Sequence, residues 1–203
     1  MAMDFIHHLP VLQVIVPLLS APLVVLLQPR GLAWAATTAV CILSFVIALN
    51  LAAQVVAGPA LSYELGGWEV PFGIALRVDE LSALLLVIVT GAATAATLAG
   101  RESIDSQIEE HRQPMFYSAW LLVLSGLVGM VVSADAFNIF VFMEISSLAS
   151  YVLIAGGPDR RALLAVFKYL IMGTIGATFY LIGVGMIYMM TGTLNLEDMS
   201  QRI

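Results

Sequence analysis

Two ionisable side chains sit where hydrocarbon is expected: Glu144 in the apolar run 136–156 and Lys168 in the run 162–190. A charge near the centre of a bilayer costs at least about 2.5–3.5 kcal/mol on insertion scales, so such residues face a bundle interior or a wet cavity and mark ion or proton paths. Lys168 is the one lysine of the chain, every loop cation being arginine. Lysine releases its proton when its environment shifts, whereas arginine stays charged. Glu144 and Lys168 are therefore the candidate proton-path residues. At a rise of 1.5 Å per residue, Glu144 lies about 12 Å into its helix and Lys168 about 9 Å from the opposite end of the next one. The two charges should differ in depth by about 10 Å, which predicts a relay through a few waters rather than a salt bridge. Two competing readings stay open. Ser146, Ser147 or Ser150 can satisfy the Glu144 carboxyl as a purely structural group, and Lys168 can extend its stem toward the headgroups.

The elements that must hold these residues are transmembrane helices. About 20 mostly apolar residues span the hydrocarbon core, and six stretches qualify: 11–28, 32–57, 81–100, 115–132, 136–156 and 162–190. Each is apolar all round, without the polar stripe of a surface helix. The expected fold is all-α, a polytopic bundle of about six transmembrane helices, with residues 1–203 forming one transmembrane domain. Gly173, Gly176, Ala177, Gly183 and Gly185 thin the last helix and are expected to let a neighbouring backbone approach.

Composition excludes other classes. Of 203 residues, 61% are hydrophobic and 11% charged, against near half and a quarter in soluble domains. The formal charge of -6 gives no basic face for nucleic acid. The one cysteine, Cys41, rules out a disulfide framework and reads as a small buried or lipid-facing residue. His7, His8 and His111 fall outside the spans, no metal-ligand spacing or nucleotide-binding glycine motif occurs, and no cofactor is expected. The segment before the first span lacks Lys and Arg, so that span is expected to be retained rather than cleaved as a signal.

Asp135 in Ser133-Ala-Asp135 is expected to cap the fifth helix, and Asp79 and Glu80 to open the third at the positive end of its dipole. Residues 58–78 read as a long loop with Gly-Gly-Trp and Pro-Phe-Gly turns, Pro29-Arg30-Gly31 and Gly157-Pro158-Asp159 as tight turns. With six spans, Arg30, Arg101, Arg112, Arg160 and Arg161 share one side and Arg77 and Arg202 the other. Positive charge marks the cytoplasmic side, so both termini are expected outside. Asn195-Leu-Glu-Asp198 reads as a helix start, and a helix of about two turns is marginal alone, so further protein or a partner is expected beyond it.

The run Asp135-Ala-Phe-Asn-Ile-Phe-Val-Phe-Met-Glu144-Ile, followed by Ser150-Tyr151, resembles the fifth-helix signature of antiporter-like membrane subunits. These include the D-type subunits of Mrp-type multisubunit cation/proton antiporters and the pumping subunits of respiratory complex I and membrane-bound hydrogenases. Phe167-Lys168-Tyr169-Leu-Ile-Met-Gly173-Thr-Ile-Gly176-Ala-Thr, ending in Thr191-Gly-Thr-Leu-Asn195, looks like the sixth helix and its exit. Gly67-Trp68-Glu-Val-Pro-Phe-Gly-Ile-Ala-Leu-Arg-Val-Asp79-Glu-Leu-Ser82 looks like the entry to the third. The resemblance covers nearly the whole chain and leans toward the Mrp branch. It implies that Glu144 is the fifth-helix glutamate of a proton path, partnered in the family by a lysine on the seventh helix, with a further lysine or histidine carrying the path onward. It also implies that this chain is the N-terminal, six-helix part of a longer subunit, working with other membrane subunits and a chain that supplies those later helices. Its work would be exchange of a monovalent cation, sodium, for protons. A redox-driven pump subunit or a non-transporting scaffold are the alternative roles.

Overall fold

The computed structural model describes residues 7–27, 30–68, 70, 73–157 and 160–203. The turns expected at Pro29, at Pro71-Phe72 and at Pro158-Asp159, and the segment 1–6 before the first span, lie in whole or part outside the described residues. The chain forms an all-α bundle with one small hairpin. Its long helices are α1 (Leu9–Val25), α2 (Arg30–Ala57), α3 (Glu80–Ala99), α5 (Gln113–Val132), α6 (Ala136–Ala155) and α7 (Arg160–Thr191). Two short helices, α4 (Arg101–Gln107) and α8 (Leu196–Arg202), lie at opposite ends of the bundle. Five of the long helices, all but α1, are long and apolar enough to cross a bilayer. At 17 residues α1 reaches about 26 Å, slightly short of a core about 30 Å thick. The protein is thus a multi-pass membrane protein.

Local chemistry sets the boundaries. Asp79 and Asp135 are N-caps whose carboxylates accept the Ser82 and Asn138 backbone N–H groups, each at 2.8 Å. Asn195 caps α8 by accepting from both Glu197 and Asp198 N–H at 3.1 Å. Each satisfies backbone donors that a helix start leaves orphaned.

The segment expected to be an irregular loop contains an antiparallel pair, β1 (Leu61–Glu64) and β2 (Ala75–Val78), in register Leu61 opposite Val78. Four residues per strand are too few for alternation to stand out in a hydrophobic chain. Leu76 and Val78 on β2 are buried, so the hairpin folds back onto the helix ends rather than standing free.

Helix α5 is the hub. In its spanning window 56% of residues are buried, against 11% in the windows of α6 and α7. It packs on α1, α2, α3 and α6, and Leu121, Leu124, Val128 and Val132 form the middle of the core. Gly126 and Gly129 let α6 approach. A Cβ built on Gly126 would stand 2.6 Å from the Ser146 Cβ, and one on Gly129 would overlap the Phe142 ring.

The end of the bundle away from α4 is woven together by backbone. Ala134 N–H donates to Ala75 C=O at 3.1 Å, Ala136 N–H to Leu194 C=O at 2.9 Å, and Leu196 N–H to Ala134 C=O at 2.9 Å. Thus β2, the α5–α6 turn and the α7–α8 turn form one hydrogen-bonded knot, with Arg77 and Glu197 paired across it. Arg202 closes α8 onto α7 by donating to Asp198 Oδ1 at 2.9 Å and to Thr191 C=O at 3.1 Å.

Candidate functional site

Helix α6 leaves the knot at Ala136 and carries Glu144 eight residues along, about 12 Å by helical rise. Its face toward α5 is the stripe Phe142, Ser146 and Ala149. Glu144 lies on the opposite side, beside the stripe that meets α7, and is half-buried. Among the described residues no hydrogen bond or ion pair reaches its carboxylate. Two of the three serines that the competing structural reading offered it, Ser146 and Ser150, are turned elsewhere. Ser146 donates to Met143 C=O at 3.0 Å and Ser150 to Ser146 C=O at 2.7 Å, both within α6.

Tyr151, seven residues and two turns on, lies on the same side of α6 as Glu144 and within electrostatic range of it. Helical side chains slope toward the N-terminus, so the Tyr151 phenol leans back toward Glu144. The same ring meets α7: it stands edge-on to Tyr169, with centroids 5.0 Å apart and planes at 87°. Its hydroxyl occupies the space that a Cβ on Gly173 would need. Nearer the knot, Tyr180 donates to Ala136 C=O at 2.9 Å and stacks on Phe140 at 6.3 Å. The α6–α7 contact is therefore an aromatic ladder beside the carboxylate. Tyr151 was legible only as part of the Ser150-Tyr151 motif; its two-turn spacing from Glu144 is the signal that places it at the site.

Lys168 is not brought to Glu144. The α7 face against α6 carries Tyr169, Gly173, Ala177 and Tyr180. Lys168 shares its stripe with Leu164, Met172, Ile175 and Phe179, all exposed, and is itself exposed. A step of about 100° per residue turns that stripe well away from α6. The expected depth difference also shrinks. Because α7 starts at Arg160 rather than 162, Lys168 lies about 12 Å and Glu144 about 16 Å from their common end, a difference of about 4–5 Å. A water relay between the two across the α6–α7 contact is therefore not the geometry found. Helix α7 has 32 residues, about 48 Å, so an overhang shared between its ends leaves Lys168 only about 3 Å inside the hydrocarbon, within reach of its stem.

Of the glycines expected to admit a neighbour, Gly173 does so, while Gly176, Gly183 and Gly185 have nothing within 4 Å of a built Cβ. His8 and Tyr63 meet at 3.0 Å beside the hairpin, and His111 lies by Glu109. No group of three or more metal-ligating side chains occurs among the described residues.

Outside the spans, the Ser82 backbone N–H, aided by Arg77, holds the Asp79 carboxyl below the usual carboxylate range. The hydrogen bond from Arg202 does the same for Asp198.

The structure is that of a multi-pass helical membrane protein, with one carboxylate, Glu144, well inside a spanning helix and without an ion pair among the described residues. Residues 133–203, covering α6 to α8, match the family described as NADH:quinone oxidoreductase/Mrp antiporter, TM. The chain is 42% identical over 199 residues to NADH-quinone oxidoreductase subunit N of Desulforudis audaxviator, covering 95% of itself and 39% of that protein. It is 32% identical over 198 residues to the D subunit of the Na(+)/H(+) antiporter of Bacillus subtilis, covering 97% of itself and 40% of that protein. It superimposes with a TM-score of 0.86, at 30% identity, on a chain of the archaeal membrane-bound sulfane sulfur reductase, covering 95% of itself and 39% of that chain. The chain belongs to the antiporter-like membrane-subunit family shared by Mrp antiporters and NADH:quinone oxidoreductases. It spans about two fifths of the length of the relatives it matches.

Proposed function

We propose that this chain is the N-terminal part of a membrane subunit of a multisubunit monovalent cation/proton antiporter, sodium being the cation, and that Glu144 carries protons within it. The observation that carries the reading is the placement of Glu144: well inside α6, without an ion pair or hydrogen bond among the described residues, and on the same helix side as Tyr151. A carboxyl in such a place can take and release a proton without first breaking a salt bridge. Lys168 acts from the outer face of α7, toward the helices or membrane subunits that cover that face. The side bearing Arg101, Arg112, Arg160 and Arg161 is cytoplasmic, which puts both ends of this chain on the other side.

The test is cation-driven proton movement in vesicles containing the whole complex, normalised to the amount of assembled complex. Glu144→Gln is expected to abolish it and Glu144→Asp to retain part of it. Unchanged flux in Glu144→Gln would leave the scaffold role.

A second reading, a membrane-arm subunit of a redox-driven pump, is favoured by the 42% identity to an NADH-quinone oxidoreductase subunit. Co-purification with iron–sulfur or flavin subunits would establish it over the antiporter.

A further inference from the structure

Helices α5 and α6 come closest toward the knot, at Gly126 and Gly129. Toward the Arg101 end a cleft opens along their seam. Its inner part, about 440 Å³, lies among Leu18 of α1, Ala119 and Leu122 of α5, and Ile145, Leu148 and Ala149 of α6. Its outer part, about 460 Å³, lies among Ile108, His111, Arg112, Phe116, Ala155 and Gly156. Met115 and Val152 line both parts, so the two form one continuous groove.

The dimensions of the groove restrict what can fill it. From Arg112 to Leu122 it follows ten residues of α5, about 15 Å, which is the depth of one leaflet in a hydrocarbon core about 30 Å thick. The inner part holds about 440 Å³ over about 10 Å of helix, a mean section near 40 Å². A further helix, 10–12 Å in diameter, would need about 80 Å² or more. The walls Met115, Leu148 and Val152 are apolar and 60%, 55% and 45% exposed. A slot of this length, thinness and polarity suits acyl chains.

Chemistry at the mouth selects the headgroup. Glu109 Oε2 stands 3.4 Å from Arg112 Nε and 3.6 Å from His111 Nδ1, and the neighbouring Glu110 is exposed. Ion pairs this open to water are weak and exchange readily. A phosphodiester can accept from Arg112 and His111, but a headgroup of net negative charge also meets two carboxylates there. An ethanolamine ammonium answers them by donating to Glu109, whereas a choline has no N–H to donate. Arg101, Arg160 and Arg161 share this end of the bundle, yet none of them lines the groove.

We propose that the α5–α6 groove binds phosphatidylethanolamine from the leaflet on the Arg101 side. Its acyl chains lie along Met115, Leu148 and Val152, its phosphate meets Arg112 and His111, and its ammonium meets Glu109. Neither Glu144 nor Tyr151 lines the groove, and lipid binding there is independent of which ion the protein moves.

The test uses the whole complex, reconstituted in phosphatidylcholine vesicles with a trace of phosphatidylethanolamine carrying a diazirine on one acyl chain. After illumination, adducts are mapped by mass spectrometry. Adducts are expected on residues 115–122 and 145–152, and unlabelled phosphatidylethanolamine should compete about tenfold better than phosphatidylglycerol or added phosphatidylcholine. Glu109→Gln with Arg112→Gln, both exposed, should erase that preference while the apolar contact persists. Val152→Phe, which fills the groove from an exposed position, should lower adduct yield about tenfold at equal complex yield. No adduct on these two segments would mean that protein covers the seam, and would overturn the proposal. Equal competition by all three lipids would reduce the groove to unselective solvation by the bilayer, and would overturn it as well. The competition is read on the parent complex, so it decides even where a substituted complex fails to assemble.

Discussion

The hydroxyl of Tyr151 on α6 rests against the backbone of α7 at Gly173, in the one volume that a methyl group there would fill. This fixes the ring edge-on to Tyr169 and keeps the phenol on the Glu144 side of its helix. Gly173→Ala is therefore expected to displace the phenol and reduce ion flux several-fold while leaving assembly intact. Tyr151→Phe, which keeps the ring and loses the hydroxyl, should reproduce the flux loss without the displacement. Flux per assembled complex, with complex yield measured in parallel, checks both.

A different glycine governs stability. Any side chain at Gly129 meets the Phe142 ring at the closest approach of α5 and α6. Gly129→Val is expected to destabilise the protein by about 1–3 kcal/mol, the usual range for overpacking. A lower thermal midpoint of the detergent-solubilised complex, with no change in the pH dependence of flux, is the expected result.

The Asp79 cap carries a pH dependence. Its carboxyl titrates lower in the folded chain than unfolded, so its stabilisation is complete above the unfolded value of about 3.9 and fades as pH falls through the folded one. Asp79→Ala should cost about 0.5–2 kcal/mol at neutral pH and progressively less in acid. Thermal melts of parent and variant from pH 7 down to about pH 3 should converge at the acid end.

Two of the ties holding α8 differ in worth. Arg77 and Glu197 are both well exposed, 43% and 61% at the side chain, so Glu197→Gln should cost less than about 1 kcal/mol and lose even that in high salt. Asn195→Ala removes a cap that serves two backbone donors and should cost about 0.5–2 kcal/mol. Hydrogen exchange over residues 193–203 should accelerate clearly in the second variant and little in the first.

Length and hydropathy were enough to find the spanning helices, because hydrocarbon imposes a simple requirement on composition. The caps at Asp79, Asp135 and Asn195 were equally legible, since one acceptor before a run of backbone donors is a local arrangement. The facing of Lys168 was not. Helix α7 is apolar nearly all round, so nothing in its pattern says which stripe meets α6, and the small residue at Gly173 together with Tyr169 and Tyr180 settles it only once α6 is in place. The β1–β2 pair stayed hidden because its order comes from contacts across the hairpin and with the helix ends. Glu144 could be named from its type and depth, but its lack of a serine partner depended on how Ser146 and Ser150 turn.

The backbone knot at Ala75, Ala134 and Leu194 makes the bundle behave like a fan held at its rivet. Helices α3, α6 and α7 share that point, so a tilt of any of them about it would displace the far end most. Displacement then grows with distance from the rivet. A swing of α6 by about 5° carries Glu144 roughly 1 Å and Ala155 roughly 2.5 Å, by the helix lengths involved. The carboxylate thus lies where any such tilt would be geared down to a step of hydrogen-bond scale.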